Sequence, residues 1–151
     1  CILLVNKWDL VEKDSDTLAQ YERRVYHDLK YLSYAPILFI SALKGQRVNK
    51  IFDLVDQVSE QAKKRIPTSP LNNSFEQWVE NRPPPLYRNR NVKLNYITQV
   101  SVGPPTFVIY TNTPEGIHFS YERYLINQMR QAFGFEGVPI RLHFRKKGKK
   151  R

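Results

Sequence analysis

The sequence predicts an α/β fold, in which the C-terminal portion of a doubly wound parallel sheet is followed by a small α+β domain of order α-β-β-α-β. In residues 1–66, two unbroken apolar runs alternate with two stretches of helical periodicity, which is typical of strands covered on both faces. Residues 67–72 contain two prolines and predict a linker. Beyond them, period-two alternation indicates strands, and 41% hydrophobic residues supply a core.

The first apolar run, residues 1–5, ends in three polar side chains, Asn6, Lys7 and Asp9. Ligands of open parallel sheets lie just beyond the carboxyl ends of strands, so this loop is a candidate ligand site. A carboxylate such as Asp9 accepts two hydrogen bonds from a planar N–H/NH2 edge, which guanine presents and adenine does not. The alternative is an ordinary solvated turn, because asparagine and aspartate also favour turns and helix caps.

The second apolar run, residues 37–40, ends in Ser41, Ala42 and Leu43. A right-handed crossover places the ends of consecutive parallel strands on one side of the sheet, so both loops are expected to meet there. Small residues allow a close backbone approach, and the N–H of Ala42 or of Leu43 is expected to donate to the guanine carbonyl oxygen, which adenine lacks. Two loops that select the same base edge strengthen the guanine interpretation.

The two loops resemble the guanine-specificity motifs of the translation-factor-like GTPases. The N-K-x-D motif of that class is matched by Asn6, Lys7 and Asp9. The S-A-K motif is matched at its first two positions, and leucine stands at the third. The resemblance implies a P-loop GTPase sheet that binds GTP or GDP, and it implies these nucleotide-contacting residues: Asn6, Lys7, Asp9, Ser41, Ala42 and Leu43.

Two motifs that phosphate chemistry requires are missing from these 151 residues. The sequence has no phosphate-binding loop G-x-x-x-x-G-K-[ST] and no D-x-x-G switch segment. We therefore expect that this chain alone does not hydrolyse GTP, that it contains no catalytic residue, and that the Mg²⁺ ligands lie outside it. A chain that opens inside a buried strand is likewise expected to be part of a longer protein.

The second part of the chain predicts one small sheet with helices on one face. A short helix around Phe75 and Trp78 and a packed helix from Tyr121 flank two strands, at residues 92–102 and 106–110. Alternation then predicts a last strand that carries Ile140, Leu142 and Phe144. In the strand at 92–102, the same alternation places every second residue on one face, which is expected to be the apolar one. These residues are Val92, Leu94, Tyr96, Thr98 and Val100.

Positive charge is concentrated in the second part of the chain. The formal net charge of all 151 residues is +10 at pH 7. Residues 1–66 hold 11 Lys/Arg and 9 Asp/Glu, whereas residues 67–151 hold 13 and 5. This excess predicts a surface for a polyanion, with RNA the leading candidate. The expected RNA-binding residues form the basic C-terminal run: Arg145, Lys146, Lys147, Lys149, Lys150 and Arg151.

Cysteine, hydropathy and histidine content exclude several classes of protein. One cysteine forms no internal disulfide, which favours an intracellular, cytoplasmic protein. No apolar run approaches the roughly 18 residues that a membrane helix needs, so no membrane partner is expected. The three histidines are scattered without neighbouring ligands, and no metal site is predicted.

Five segments closely resemble the C-terminal end of the double-Era-like ribosome-assembly GTPases, the Der or EngA family. They are N-K-W-D at 6–9, S-A-L at 41–43, N-R-P-P-P at 81–85, K-L-N-Y-I-T-Q at 93–99 and G-V-P-I-R-L at 137–142. The resemblance implies four regions, which are the C-terminal part of a GTP-binding (G) domain at 1–66, a linker at 67–72, a KH-like domain at 73–145 and a basic tail at 146–151.

The same resemblance implies a GTP-hydrolysing factor that assembles the large ribosomal subunit. Its implied partners are rRNA, that subunit, guanine nucleotide and the rest of a chain with two G domains. KH domains grip nucleic acid through a G-x-x-G loop between helices, but here these letters, at Gly134 to Gly137, lie before the last strand and include Glu136, so we expect a connecting turn. The alternative function is a non-enzymatic RNA-binding or assembly module with a G-domain remnant as scaffold.

Overall fold

The computed structural model describes residues 1–12, 14 and 16–146. Contacts divide the chain into two compact units. The first consists of Cys1–Gln61 and Glu136–Pro139, and the second of Ala62–Phe135 and the chain from Ile140 onward. Within the described residues, no helix combines the length and the apolar character needed to cross a membrane.

The first unit is built on a parallel strand pair, as the apolar runs predicted. Strand β1 (Leu3–Val5) pairs in parallel with β2 (Ile37–Phe39). Helix α1 (Thr17–Asp28) connects the two strands, and helix α2 (Lys50–Lys63) follows β2. The predicted order of strand, helix, strand and helix is therefore confirmed, and the loops that follow both strands emerge at the same edge of the sheet.

The second unit contains two helices and a three-stranded sheet. Helix α3 (Thr68–Asn81) is followed by β3 (Leu94–Ser101) and β4 (Thr106–Thr111), then by α4 (Phe119–Phe133) and β5 (Arg141–Lys146). The sheet order is β3-β4-β5, with β3 antiparallel and β5 parallel to the central strand. This is the α-β-β-α-β order that the sequence predicted.

The core of the second unit lies between its helices and one face of its sheet. Its fully buried side chains are Leu71, Phe75, Ile97, Phe107, Ile109, Leu125, Met129 and Phe135. Two tyrosine hydroxyls on α4 form hydrogen bonds to backbone carbonyls at the C-terminal end of α3. Tyr121 donates to the Arg82 carbonyl at 2.7 Å, and Tyr124 donates to the Trp78 carbonyl at 2.8 Å. Burial raises the pKa of Tyr121 to about 12, so this hydroxyl keeps its proton at physiological pH.

The segment predicted as a linker, residues 67–72, is the first difference from the sequence analysis. Helix α3 begins at Thr68, so five of these six residues are helical. Pro70 lies in the first helical turn, where the N–H that proline lacks would have no partner within the helix. Leu71 is completely buried and fastens this turn to the core. The proposed domain boundaries stay a prediction.

The buried face of β3 is the second difference. The sequence analysis grouped Tyr96, Thr98 and Val100 with the apolar face, but Tyr96 and Val100 are exposed, whereas Ile97 and Gln99 are buried. Pairing with β4 is irregular between Leu94 and Tyr96, and a bulge of this kind shifts the inward and outward alternation by one residue. A pattern count across a bulge therefore assigns the wrong face.

Gln99 is polar and nevertheless buried, because its amide satisfies the backbone that leads into α3. Its Oε1 accepts from the Ile66 N–H at 2.8 Å, and its Nε2 donates to the Lys64 carbonyl at 2.9 Å. A buried amide with partners on both atoms avoids the desolvation penalty of an unpaired group. Gln99 thereby fixes the entry of the chain into the second unit.

Asn72 makes a similar contact at the outer edge of β3. Its Nδ2 donates to the Ile97 carbonyl at 2.9 Å, and its Oδ1 accepts from the Ile97 N–H at 3.0 Å. These are the two bonds that a neighbouring strand would make to one residue of β3. The Asn72 side chain on α3 therefore satisfies both outward-facing backbone groups of Ile97 in this edge strand.

Candidate functional site

The loop after β1 holds the first group of predicted site residues, and Trp8 anchors it. The Trp8 side chain is 3% exposed and packs on Phe39 and Tyr21, with ring centroids at 4.5 and 5.3 Å. Its backbone N–H donates to the Ile40 carbonyl at 3.0 Å. Lys7 adopts a left-handed conformation (φ 62°), which turns the chain sharply after the strand. The neighbouring polar groups are thus presented from a rigid support.

The loop after β2 is a tight turn closed on itself. Ser41 is fully buried and exchanges two backbone hydrogen bonds with Gln46, at 3.1 and 3.0 Å. The Ser41 hydroxyl also accepts from the Lys44 N–H at 3.2 Å. Gly45, at φ 65°, reverses the chain between Ser41 and Gln46. These bonds show that Ser41 shapes the loop, and its contact with a nucleotide stays a prediction.

Asn6 joins the two loops. Its Oδ1 accepts from the Lys7 N–H at 2.8 Å and from the Ala42 N–H at 3.0 Å. The sequence analysis left open whether Ala42 or Leu43 supplies the backbone donor for a base. Because the Ala42 N–H already donates to Asn6, the Leu43 N–H is the donor that keeps no internal partner among the described residues.

A small pocket opens between the loops. It has a volume of about 190 Å³ and is lined by Asn6, Lys7, Asp9, Leu10, Ser41 and Leu43. This volume is below the roughly 300–1,000 Å³ of typical small-molecule pockets, so it suits one flat base better than a whole nucleotide. The structure brings five of the six predicted nucleotide-contacting residues to one pocket, and Ala42 reaches it through its hydrogen bond to Asn6.

Asp9 lies at the pocket, and two of its neighbours, Leu10 and Lys44, were not identified as site residues from the sequence. The Asp9 side chain is only 7% exposed, and its Oδ2 lies 3.8 Å from the Lys44 Nζ, whose side chain is mainly in solvent. Leu10 and Leu43 are exposed apolar side chains at the pocket. They offer surfaces for a flat ring. Leu43 was among the predicted site residues, whereas the only sequence signal for Leu10 and Lys44 was their position next to the two motifs.

The predicted RNA-binding residues divide between β5 and the C-terminal run. Arg145 and Lys146 are exposed at the end of β5, where they pair with Tyr110 and Thr111 of β4. Lys147, Lys149, Lys150 and Arg151 lie outside the described residues. Gly134 to Gly137 does form a connection between α4 and β5, as expected.

The described residues contain no group of three or more His, Cys, Asp or Glu side chains that could hold a metal ion. The donors and acceptors of the pocket fit the edge of a base, whereas phosphate groups and Mg²⁺ require other groups.

Comparison with known proteins identifies the family. Residues 65–145 match the family model for the KH-domain-like C-terminal region of EngA bacterial GTPase enzymes. The chain belongs to this family. The match covers more than half of the 151 residues and extends from before α3 to the penultimate residue of β5, so the KH-like interpretation of the α-β-β-α-β module is confirmed.

Relatives named GTPase Der extend the similarity to residues before the KH-like region. The chain is 54% identical over 145 residues to GTPase Der of Moorella thermoacetica, covering 96% of this chain and 33% of the relative. It is 52% identical over 150 residues to GTPase Der of Citrifermentans bemidjiense, covering 99% and 34%. The chain therefore spans about a third of the length of the curated relatives it matches.

Proposed function

We propose that this chain supplies a guanine-recognition edge and an RNA-contacting KH-like module to a GTP-hydrolysing factor that assembles the large ribosomal subunit in the cytoplasm. The observation that carries the proposal is the pocket between the loops after β1 and β2, where Asp9 and Leu43 line one small volume. The similarity to proteins named GTPase Der supports the nucleotide and the reaction.

Guanine complements this pocket at two points. Its N1–H and N2 amino group donate to the Asp9 carboxylate, and its O6 accepts from the Leu43 N–H. Adenine presents no such pair of donors to the carboxylate and offers an amino group where the backbone N–H needs an acceptor. Each mismatch leaves a polar group without a partner, which costs about 1–3 kcal/mol. Together they discriminate against adenine.

Phosphate binding, Mg²⁺ and hydrolysis belong, in this proposal, to parts of a longer protein that carry the phosphate-binding loop. The 151 residues contain neither that loop nor a D-x-x-G segment. When bound there, Mg²⁺ would neutralise charge on the phosphates. Asn6, Asp9 and Leu43 select and orient the base. The rest of the longer protein, which has two G domains, supplies the chemistry.

The test is nucleotide preference in a protein of the relatives' full length that ends in this sequence. We expect GDP to bind at least about 30-fold more tightly than ADP in isothermal titration calorimetry, because two mismatches of the size given above sum to about 2–6 kcal/mol. Equal affinities would contradict the guanine site. They would favour the alternative, an RNA-binding module with a G-domain remnant as scaffold.

RNA binding by the KH-like module is the second part of the proposal. Thirteen Lys/Arg against five Asp/Glu in residues 67–151 supply the attraction to phosphate. Removal of residues 147–151 leaves β5 intact and deletes four cations, whereas a cut at residue 145 would damage the strand.

We expect this truncation to weaken RNA binding and to lower the dependence of log affinity on log salt by up to about 3, at roughly 0.7 per lost phosphate contact. Fluorescence anisotropy with a labelled single-stranded RNA, at several salt concentrations, measures both. A tail of the same length with glutamine at the four cationic positions is the control for length. Affinity that changes with neither salt nor truncation would reject the role of the tail.

A further inference from the structure

A basic cleft on the second unit involves residues that the sequence analysis did not single out. It has a volume of about 320 Å³ and is lined by Tyr87, Arg88, Arg90, Asn112, Thr113, Glu115 and Lys146. Three of the lining side chains are cationic and one is anionic. The cations come from two stretches more than 50 positions apart in the sequence, so the fold, and not a local charge run, collects them.

The arginines are held by a tight hairpin turn. Tyr87 and Arg90 exchange backbone hydrogen bonds at 3.0 and 2.9 Å, and Arg88 and Asn89 between them both have positive φ, 48° and 61°. This is the geometry of a two-residue hairpin, in which asparagine and glycine are the favoured residues. Arginine at the first position therefore carries a conformational cost. The turn points Arg88 over the Tyr87 ring, 5.2 Å from its centroid.

Two contacts fix the turn to the rest of the unit. Asn112 binds the strand that leaves the turn, since its Oδ1 accepts from the Lys93 N–H at 2.8 Å and its Nδ2 donates to the Asn91 carbonyl at 2.9 Å. Gly116 lies directly beneath the turn, and a Cβ on it would come within 2.9 Å of the Tyr87 Cβ. The wall of the cleft is therefore positioned before any ligand binds.

The positive charge in the cleft is not neutralised internally. Within the part of the chain that the structure describes, the side chains of Arg90 and Lys146 have no ion pair or hydrogen bond, and the Arg88 side chain contacts the Tyr87 ring. Like charges around one concavity repel each other and attract an anion. Beyond Lys146, the sequence continues directly into the cations of residues 147–151.

We propose that this cleft binds a nucleotide unit of single-stranded RNA, with the phosphate held by Arg88, Arg90 and Lys146. The inference rests on the proposed RNA-binding function and assigns it a site. RNA fits better than an acidic peptide because Tyr87 offers a ring for base stacking and Glu115 an acceptor for the ribose hydroxyl. An acidic peptide provides neither group, and Glu115 would repel it.

The test compares three forms of the full 151-residue chain in anisotropy titrations with a labelled single-stranded RNA. Arg88→Gln with Arg90→Gln removes two cations from the cleft. Arg23→Gln with Arg24→Gln removes two exposed cations from α1 and is the matched control. We expect the cleft variant to bind at least fivefold more weakly, with a salt slope lower by about 1.4 at roughly 0.7 per phosphate contact, and the control to change less than twofold.

A third variant separates geometry from charge. Gly116→Ala keeps every charge but displaces Tyr87, so it is also expected to weaken RNA binding. Melting temperatures recorded for all variants check that each one is folded. Binding by Gly116→Ala equal to wild type, or equal losses in the cleft variant and the α1 control, would overturn the site. The same titrations with labelled polyglutamate test an acidic peptide as the ligand. If the cleft variant loses polyglutamate binding and retains RNA binding, the RNA site is overturned in favour of an acidic peptide.

The outcomes also separate the cleft from the broader proposal. If wild type binds RNA and the cleft variant behaves like the control, the cleft is rejected while RNA binding by the module stands. If wild type shows no RNA binding at any salt concentration, the proposed RNA function itself is rejected and the cleft assignment with it.

Discussion

Asp9→Asn is expected to reduce GDP affinity by about 100-fold or more in a protein of the relatives' full length that contains this chain. The carboxylate would accept two hydrogen bonds from guanine, and bonds to a charged group contribute about 1.5–3 kcal/mol each. Asparagine offers one acceptor and one donor, and the donor faces a guanine donor. Every 1.4 kcal/mol is tenfold in affinity, so one lost bond to a charged group and one guanine donor left without an acceptor, at about 1–3 kcal/mol, together give about 100-fold or more. Isothermal titration calorimetry measures the effect.

The same substitution is expected to improve binding of xanthosine diphosphate. Xanthine carries a carbonyl where guanine carries its amino group, so the asparagine Nδ2 donates to that oxygen and its Oδ1 still accepts from the ring N–H. Asp56→Asn removes one exposed carboxylate from α2 and is the matched control, for which no change in either affinity is expected. A fall in GDP affinity without any gain for the xanthine nucleotide would indicate that Asp9 supports the loop and does not contact the base.

Gly137→Ala is expected to lower the free energy of unfolding of the first unit by about 2–5 kcal/mol. Gly137 has φ 71°, where an L side chain costs about 1–2 kcal/mol. A Cβ would also lie 2.5 Å from the Val58 Cγ2 and 3.0 Å from the Cys1 carbonyl oxygen, and overpacking adds about 1–3 kcal/mol. The backbone of Gly137 is also engaged, since its N–H donates to the Tyr34 carbonyl at 2.7 Å and its carbonyl accepts from the Cys1 nitrogen.

Gly103→Ala provides the comparison for Gly137. Gly103 has a similar φ of 58°, but a Cβ there meets no atom within 4 Å, so only the conformational cost of about 1–2 kcal/mol applies. Urea unfolding in a Trp78→Phe background leaves Trp8 as the fluorescent reporter of the first unit, and hydrogen exchange reports on the second. Equal and small losses for both glycine variants would show that Val58 moves aside and that close approach is not the reason for glycine at 137.

The elements that the sequence predicted correctly have an undisturbed period. The strand at 37–39 is an unbroken apolar run, and α4 repeats its buried residues at Tyr121, Leu125 and Met129. The errors fall where another contact overrides the pattern. Prolines around residues 67–72 indicated a linker, yet burial of Leu71 continues the helix to Thr68, and a bulge exchanges the two faces of β3.

The candidate sites show the same division. Motif letters placed Asn6 and Asp9 in a loop at a strand end, because the motif is contiguous and its strand is apolar. Sequence could not show that the Ala42 N–H donates to Asn6, since that bond joins residues 36 positions apart. The basic cleft was missed for a related reason. Arg88 and Lys146 are far apart in the sequence and belong to no common repeating pattern, and only the fold brings them to one cleft.

The amide of Asn72 has a consequence for self-association. An edge strand with free N–H and C=O groups is a template for strands of other chains and is a common starting point for aggregation. At Ile97, in the middle of β3, both groups already bond to Asn72, so a foreign strand would have to displace a side chain that α3 holds in place. The side chain of Asn72 thus protects the β3 edge of this sheet, at Ile97, against pairing with a strand of another molecule.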